Sequence, residues 1–186
     1  MSGIRVIAGT ARGRRLQPVP GDSTRPITDR VKENLFNIIG VHIVRSSFLD
    51  LFAGTGGVGI EALSRGAAYG RFLDLDRRAV RVIQQNLQTT GLGENAEVLQ
   101  RDALSVLQSE PDRPYDFIFI APPQYRGMSA ESLRLLDARP GWLAEDGWAI
   151  AQIDPKEDQD LALENLEIFD QRKYGNTKLL FFRLKD

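Results

Sequence analysis

Residues 48–67 read FLDLFAGTGGVGIEALSRGA. The apolar run 48–52 suits a strand buried on both faces, and the glycine-rich stretch after it opens a helical segment, GGVGIEALSRG. Gly54, Gly56 and Gly59 satisfy G-x-G-x-x-G between that strand and that helix, the arrangement that turns backbone N–H groups toward a bound ligand. Working outward, the same alternation repeats. Strands are expected at 69–75, 95–100, 115–120 and 147–153, and helices at 76–91, 103–110, 129–138 and 158–166. Strands alternating with helices predict an α/β fold built on a doubly wound, mostly parallel sheet. The segment LEIFDQRKYGNTKLLFFRL, 166–184, predicts a C-terminal hairpin that adds one antiparallel strand. Upstream, Thr28 or Asp29 can cap a helix through RVKENLFNIIG, whose Val31, Leu35, Ile38 and Ile39 fall at helical spacing. IRVIAG and RRLQPV flank a turn at Gly9–Gly13 and predict a small N-terminal β-hairpin. Residues 1–24 are therefore read as a basic hairpin and loop, and 25–186 as the main domain.

Length and composition remove several function classes. A chain of 186 residues suits one α/β domain with a small appendage. It has no cysteine and one histidine, His42, which argues against a disulfide framework, thiolate chemistry, a His-based metal site or a Ser-His-Asp triad. The N-terminus lacks a signal-peptide core and no apolar run approaches the roughly 18 residues of a membrane span. The expectation is a soluble, cytoplasmic monomer without a metal. The formal net charge is −1, but residues 1–32 carry Arg5, Arg12, Arg14, Arg15, Arg25, Arg30 and Lys32 against Asp22 and Asp29, a net +5, leaving −6 for the rest. A basic head on an acidic body points to nucleic-acid contact.

In such a sheet the ligand lies at the carboxyl ends of the strands. Asp74, twenty residues beyond Gly54 at the end of the second strand, can accept hydrogen bonds from both hydroxyls of a ribose. These features suit NAD or another adenosine-bearing cofactor. Asp50, just before the glycine turn, favours S-adenosylmethionine: a carboxylate there attracts the ammonium of a methionine moiety and repels a pyrophosphate. Asp102, after the third strand, can accept from an adenine amine or simply cap the next helix. The cofactor cleft is thus expected from Asp50, Phe52, Ala53, Gly54, Thr55, Gly56, Asp74, Leu75, Asp102 and Ala103. The fourth strand ends in FIFIAPPQYRG, 117–127. Proline cannot continue a ladder, so Pro122-Pro123 hold a lip open where a methyl group would be presented.

The glycine turn with this proline lip resembles the class I methyltransferases acting on exocyclic amino groups. More narrowly, IRVIAGTARGRRL, TRPITDRVKENLFNII (24–39), DLFAGTGGVGIEALSRGA (50–67) and RKYGNTKLLFF (172–182) resemble the bacterial 16S ribosomal RNA guanine-N2 methyltransferases, over essentially the whole chain. The resemblance implies a Rossmann-like methyltransferase domain with an N-terminal hairpin, S-adenosylmethionine as donor, and one guanine of small-subunit RNA, naked or in an assembling particle, as acceptor. Where that family commonly carries Asp-Pro-Pro-Tyr, this chain has Ala121-Pro122-Pro123-Gln124-Tyr125: the acid is lost and the aromatic is displaced by one residue. The Pro122 carbonyl and the Gln124 amide can still accept from an amine, and Tyr125 can stack on a flipped base. Arg5, Arg12, Arg14, Arg15, Arg25, Arg30 and Arg126 are expected to contact RNA, with Lys173 and Lys178 extending the basic rim. Trp142, Trp148 and His42 are read as packing residues and Asp154 as a loop carboxylate. Two other classes stay open here: an RNA-binding assembly factor without turnover, which the loss of the acid favours, and an NAD-dependent oxidoreductase.

Overall fold

The structure is a computed structural model that describes residues 3–21 and 26–186. Arg25, one of the expected RNA contacts, and Thr24, which opens one of the family-like stretches, lie outside the described residues. The elements run α1 (Asp29–Ile39), β1 (Ser47–Asp50), α2 (Gly57–Ser64), β2 (Tyr69–Asp74), α3 (Arg77–Thr90), β3 (Ala96–Gln100), α4 (Ala103–Gln108), β4 (Tyr115–Ile120), α5 (Met128–Ala138), β5 (Leu143–Ile153), β6 (Leu166–Tyr174) and β7 (Thr177–Leu184). Seven strands form one sheet in the order β3-β2-β1-β4-β5-β7-β6. β1 through β5 are parallel, and β7 inserts antiparallel between β5 and β6. The order reverses between β1 and β4, so the carboxyl ends of these two strands frame the crevice.

Strands β1 to β4 form where expected because each apolar run is bounded by a residue that ends it. Asp76 caps α3 through Arg78 N, and Gly91, at φ +69, closes that helix. Thr28 caps α1 through Val31 N. The sheet is buried on both faces. Phe48, Phe72, Phe117 and Phe181 pack on one side with α1 and α2, while Leu49, Leu73, Ile118 and Ala149 pack on the other with α4 and α5. The N-terminal segment joins the first of these layers through Val6, Ala11 and Leu16. Its hairpin is minimal: one antiparallel bridge, Arg5 with Arg15, flanked by Val6 N to Arg14 O and Leu16 N to Ile4 O.

Two expectations are corrected. No helix forms over 158–166. There the N–H groups of Glu164, Asn165 and Leu166 donate to the Asp137 carboxylate at the end of α5, at 2.9, 2.7 and 2.9 Å. Leu161 and Leu163 dip onto the core at a spacing of two, which a helix cannot do. β5 also begins at Leu143, four residues early, because the strand passes through Gly147 with a register shift against β4. A Cβ at Gly147 would come within 2.8 Å of the Tyr115 carbonyl.

Candidate active site

The carboxyl end of β1 feeds a tight turn whose backbone is fastened on every side. Ala53 N donates to Leu73 O (2.8 Å), Gly54 N to Asp74 Oδ2 (2.8 Å) and Gly56 N to Ala53 O (2.7 Å). Buried Asn86 on α3 donates to Thr55 O (2.9 Å) and to Gln17 O (3.1 Å), tying the turn to the N-terminal segment. Gly56 caps α2 at φ +80, a conformation open to glycine. Gly59 admits close packing of helix on strand: a Cβ there would lie 2.4 Å from Cε1 of Phe72.

Asp50 sits beneath this turn, 2% exposed. Burial pushes its carboxyl up to about 7, and neighbouring Asp74 adds to the rise, while the N–H groups of Gly59 and Phe52 oppose it. Asp50 Oδ1 is buried and has no hydrogen-bond partner among the described residues. A buried unpaired acceptor of this kind signals a missing donor. Asp74 accepts from Gly54 N on one oxygen and from Asp76 N on the other (2.9 Å), and burial raises its pKa against these two bonds. Each carboxylate oxygen carries a second lone pair, so two hydroxyls can still be accepted. Leu75, immediately beyond, is 66% exposed. Phe52 is partly buried; Ala53, Gly54, Thr55 and Ala103 are buried. Asp102 caps α4: its Oδ2 takes both Ser105 N (3.2 Å) and Ser105 Oγ (2.8 Å).

The lip follows β4. Ala121 packs against the core layer that contains Phe117 and Phe119, and Pro122 is half-buried. Pro123, Gln124, Tyr125 and Arg126 are exposed, and Gly127 at φ +68 leads into α5. Tyr125 adopts φ +61, unusual for an aromatic residue, and is held at two points. Its N–H donates to Glu157 Oε1 (2.8 Å) and its hydroxyl to Asp154 Oδ2 (2.6 Å). Asp154 is nearly buried and caps the turn after β5 by accepting from Lys156 N (2.9 Å), while Glu157 Oε2 accepts from Asp154 N (3.3 Å). The Tyr125 hydroxyl and the Lys156 N–H hold the Asp154 carboxyl below the usual carboxylate range. The lip therefore rests on a clasp supplied by the end of β5. By sequence, Asp154 reads as a loop carboxylate and Glu157 is not singled out; the string Asp154-Pro155-Lys156-Glu157, a cap followed by proline and an acid three residues on, is the signal available.

The basic head divides. Lys32 is buried against Glu61 (3.4 Å), which also takes Arg65 (2.9 Å) and the N–H groups of Ile7 and Ala8 (2.9 and 3.0 Å). Burial lowers the Lys32 pKa and Glu61 opposes that. This charge anchors the N-terminal segment and leaves the surface. Arg5 pairs with Asp29 at 2.9 Å. Arg12, Arg14, Arg15 and Arg30 are exposed and enter no ion pair among the described residues. The hairpin turn lies against the end of α2, where Thr10 N donates to Ser64 O (2.8 Å). It is thus a helix length of about 12 Å from the glycine turn. Lys173 is exposed, whereas Lys178 is engaged by Asp158. Trp142 is core; Trp148 packs among Phe117, Phe169 and Phe181 with exposed His42 6.0 Å away.

A glycine turn after β1, acids at three successive strand ends, a proline lip after β4 and an antiparallel β7 define the class I methyltransferase fold. The solved structure of yhhF from Escherichia coli has this fold with a TM-score of 0.87, at 35% identity over 98% of each chain. SMU.776, solved with SAH, shares the fold alone at 16% identity and a TM-score of 0.66, covering 83% of this chain and 48% of that one. The chain belongs to the family described as Conserved hypothetical protein 95, matched over residues 4–183. It is 43% identical over 144 residues to ribosomal RNA small subunit methyltransferase D of Escherichia coli K12, covering 77% of this chain and 71% of that protein. The Haemophilus influenzae protein of the same name is 35% identical over 175 residues, 92% and 89% of the two chains.

Proposed function

We propose that this protein transfers a methyl group from S-adenosylmethionine to the exocyclic N2 amine of a guanine in 16S ribosomal RNA of the small subunit. The observation that carries the reading is Asp50, a buried carboxyl with one unpaired oxygen beneath a glycine turn. An ammonium group matches it in charge and in hydrogen bonding, and a pyrophosphate would be repelled, which disfavours NAD. Asp74 suits the ribose hydroxyls, and exposed Leu75 offers an apolar face to adenine. Asp102 and the Ala103 N–H can meet the adenine edge. When bound, S-adenosylmethionine supplies an electrophilic methyl group on a sulfonium.

The chain's own part is to prepare the amine. The lone pair of a guanine amine is delocalised into its ring, so acceptors must hold its hydrogens in a geometry that aims that lone pair at the methyl. The Pro122 carbonyl accepts one N–H whatever residue stands at 121. Gln124 offers a further amide oxygen at the open edge of the lip. Tyr125, clasped by Asp154 and Glu157, presents its ring as a platform for a base turned out of its stack. Arg126 beside it, and Arg12, Arg14, Arg15 and Arg30, meet phosphates. The distance of the hairpin turn from the glycine turn makes its partners flanking nucleotides. The alkylated amine releases its proton to solvent at the exposed lip. The names of the relatives support small-subunit RNA as substrate. The test is a single-turnover assay with S-adenosylmethionine labelled in the methyl group, on small-subunit RNA and on assembling particles. Label should enter the RNA. A folded protein that binds both ligands and transfers nothing to either substrate is an assembly factor, and the reading fails.

A further inference from the structure

The acid missing at position 121 leaves open which group accepts the second hydrogen of the amine. β4 and β5 are parallel, with Phe119 beside Ile150 and Ile120 beside Ala151. One step further, Ala121 and Gln152 fall side by side. Alternation along each strand puts both on the face that carries Phe117, Phe119 and Ile150. β7 agrees: Gln152 pairs with Leu179, which belongs to the same layer. Asp50 lies on this face too, on the other side of β4, since it pairs with Phe119. Three adjacent strands thus turn Asp50, Ala121 and Gln152 to one face, with Asp50 level with Phe119 and Ile150, two residues short of Ala121 and Gln152.

Asp50 and Gln152 share one property. Asp50 Oδ1 and Gln152 Oε1 are both buried without a hydrogen-bond partner among the described residues. An orphaned acceptor is a rarity in a folded chain and is relieved by a donor. A methionine ammonium relieves Asp50 in the proposed reading. We propose that the amine of the target base relieves Gln152: its side-chain amide, which makes no hydrogen bond among the described residues, turns over so that its oxygen accepts an N–H in the place of the carboxylate that Ala121 cannot supply. Gln152 is then a catalytic residue, and it outranks Gln124, whose exposed amide merely trades one solvent bond for another.

This inference rests on the function proposed above, and guanine against inosine separates the two, because inosine lacks the 2-amino group. Single-stranded RNA oligonucleotides with a central guanine or inosine are titrated into the protein saturated with S-adenosylhomocysteine. The parent should prefer guanine by roughly tenfold, the scale of one hydrogen bond to a buried group. Gln152→Leu should lose most of that preference, keeping only what the Pro122 carbonyl supplies, and keep its affinity for S-adenosylhomocysteine, and its single-turnover rate should fall by a similar factor. Adding Ala121→Asp to Gln152→Leu should restore both preference and rate. Gln152→Glu, which keeps an acceptor in place, should retain the preference and serves if the leucine variant does not fold. A parent indifferent to the 2-amino group, or a Gln152→Leu protein with parental preference and rate, overturns the inference. Preference that depends on Gln152 without any methyl transfer overturns the methyltransferase reading and leaves Gln152 as the amine's recognition group.

Discussion

The buried carboxyl of Asp50 makes cofactor binding depend on pH in a direction the structure dictates. Without ligand, burial raises its pKa from 3.8 to about 7, so the folded protein holds this proton more tightly than the unfolded chain. The stabilisation from that proton is full below pH 3.8 and is lost as pH rises through about 7. For a shift of about three units the loss is on the order of 4 kcal/mol. An ammonium binds the deprotonated form, and the competent fraction sets the apparent affinity. From pH 7.5 down to 5.5 the affinity for S-adenosylhomocysteine should therefore fall roughly 20-fold, approaching tenfold per unit below 7. Isothermal calorimetry in buffers of different ionisation enthalpy reads both the affinity and the proton released on binding. Asp50→Asn removes the titrating group: its affinity should be weak at every pH in this window, and the slope should vanish. A parent whose affinity is flat between pH 5.5 and 7.5, with no proton released, would mean that no ammonium pairs with Asp50, and the cofactor assignment would lose its support.

Two further outcomes follow from the packing and from the basic head. Gly59→Ala drives a Cβ to 2.4 Å from Phe72, a buried ring, and should destabilise the protein by about 1–3 kcal/mol in a denaturant melt; a melt unchanged from the parent would show that α2 and β2 are not packed as described. Replacing Arg12, Arg14 and Arg15 together by alanine should weaken RNA binding and reduce the slope of log affinity against log salt by somewhat less than one per lost phosphate contact, with calorimetric affinity for S-adenosylhomocysteine unchanged; a parental slope would take the hairpin out of the interface.

The strand-end positions of the candidate cofactor residues were legible in the sequence because each is local to one strand end. Asp50, Gly54 and Asp74 end or follow apolar runs whose period and length mark them as buried strands, and an acid at such an end either faces the crevice or, like Asp102, caps the next helix. The lip was legible only in part. Pro122-Pro123 announce that the ladder stops, but the left-handed Tyr125 and its bonds to Asp154 and Glu157 join positions about 30 residues apart in sequence, which no local pattern encodes. Gln152 was invisible for the same reason, since its neighbour across the sheet depends on the register of β4 against β5. The missing helix at 158–166 shows tertiary structure overruling propensity: Asp137 collects three N–H groups that a helix would have used internally. Lys32 counted toward a basic surface by sequence, yet Glu61 on α2 draws it into the core to hold the N-terminal segment.

The central claim is that the amine of a guanine receives the methyl group, and identifying the methylated atom tests it most directly. Small-subunit RNA or assembling particles, treated with the protein and labelled S-adenosylmethionine, are digested to nucleosides and resolved by chromatography and mass spectrometry against authentic standards. The account predicts the label in N2-methylguanosine at a single position. Label on a ring nitrogen, on a ribose hydroxyl or on another base would contradict it, because the proposed role of the lip and of Gln152 is to hold an exocyclic amine.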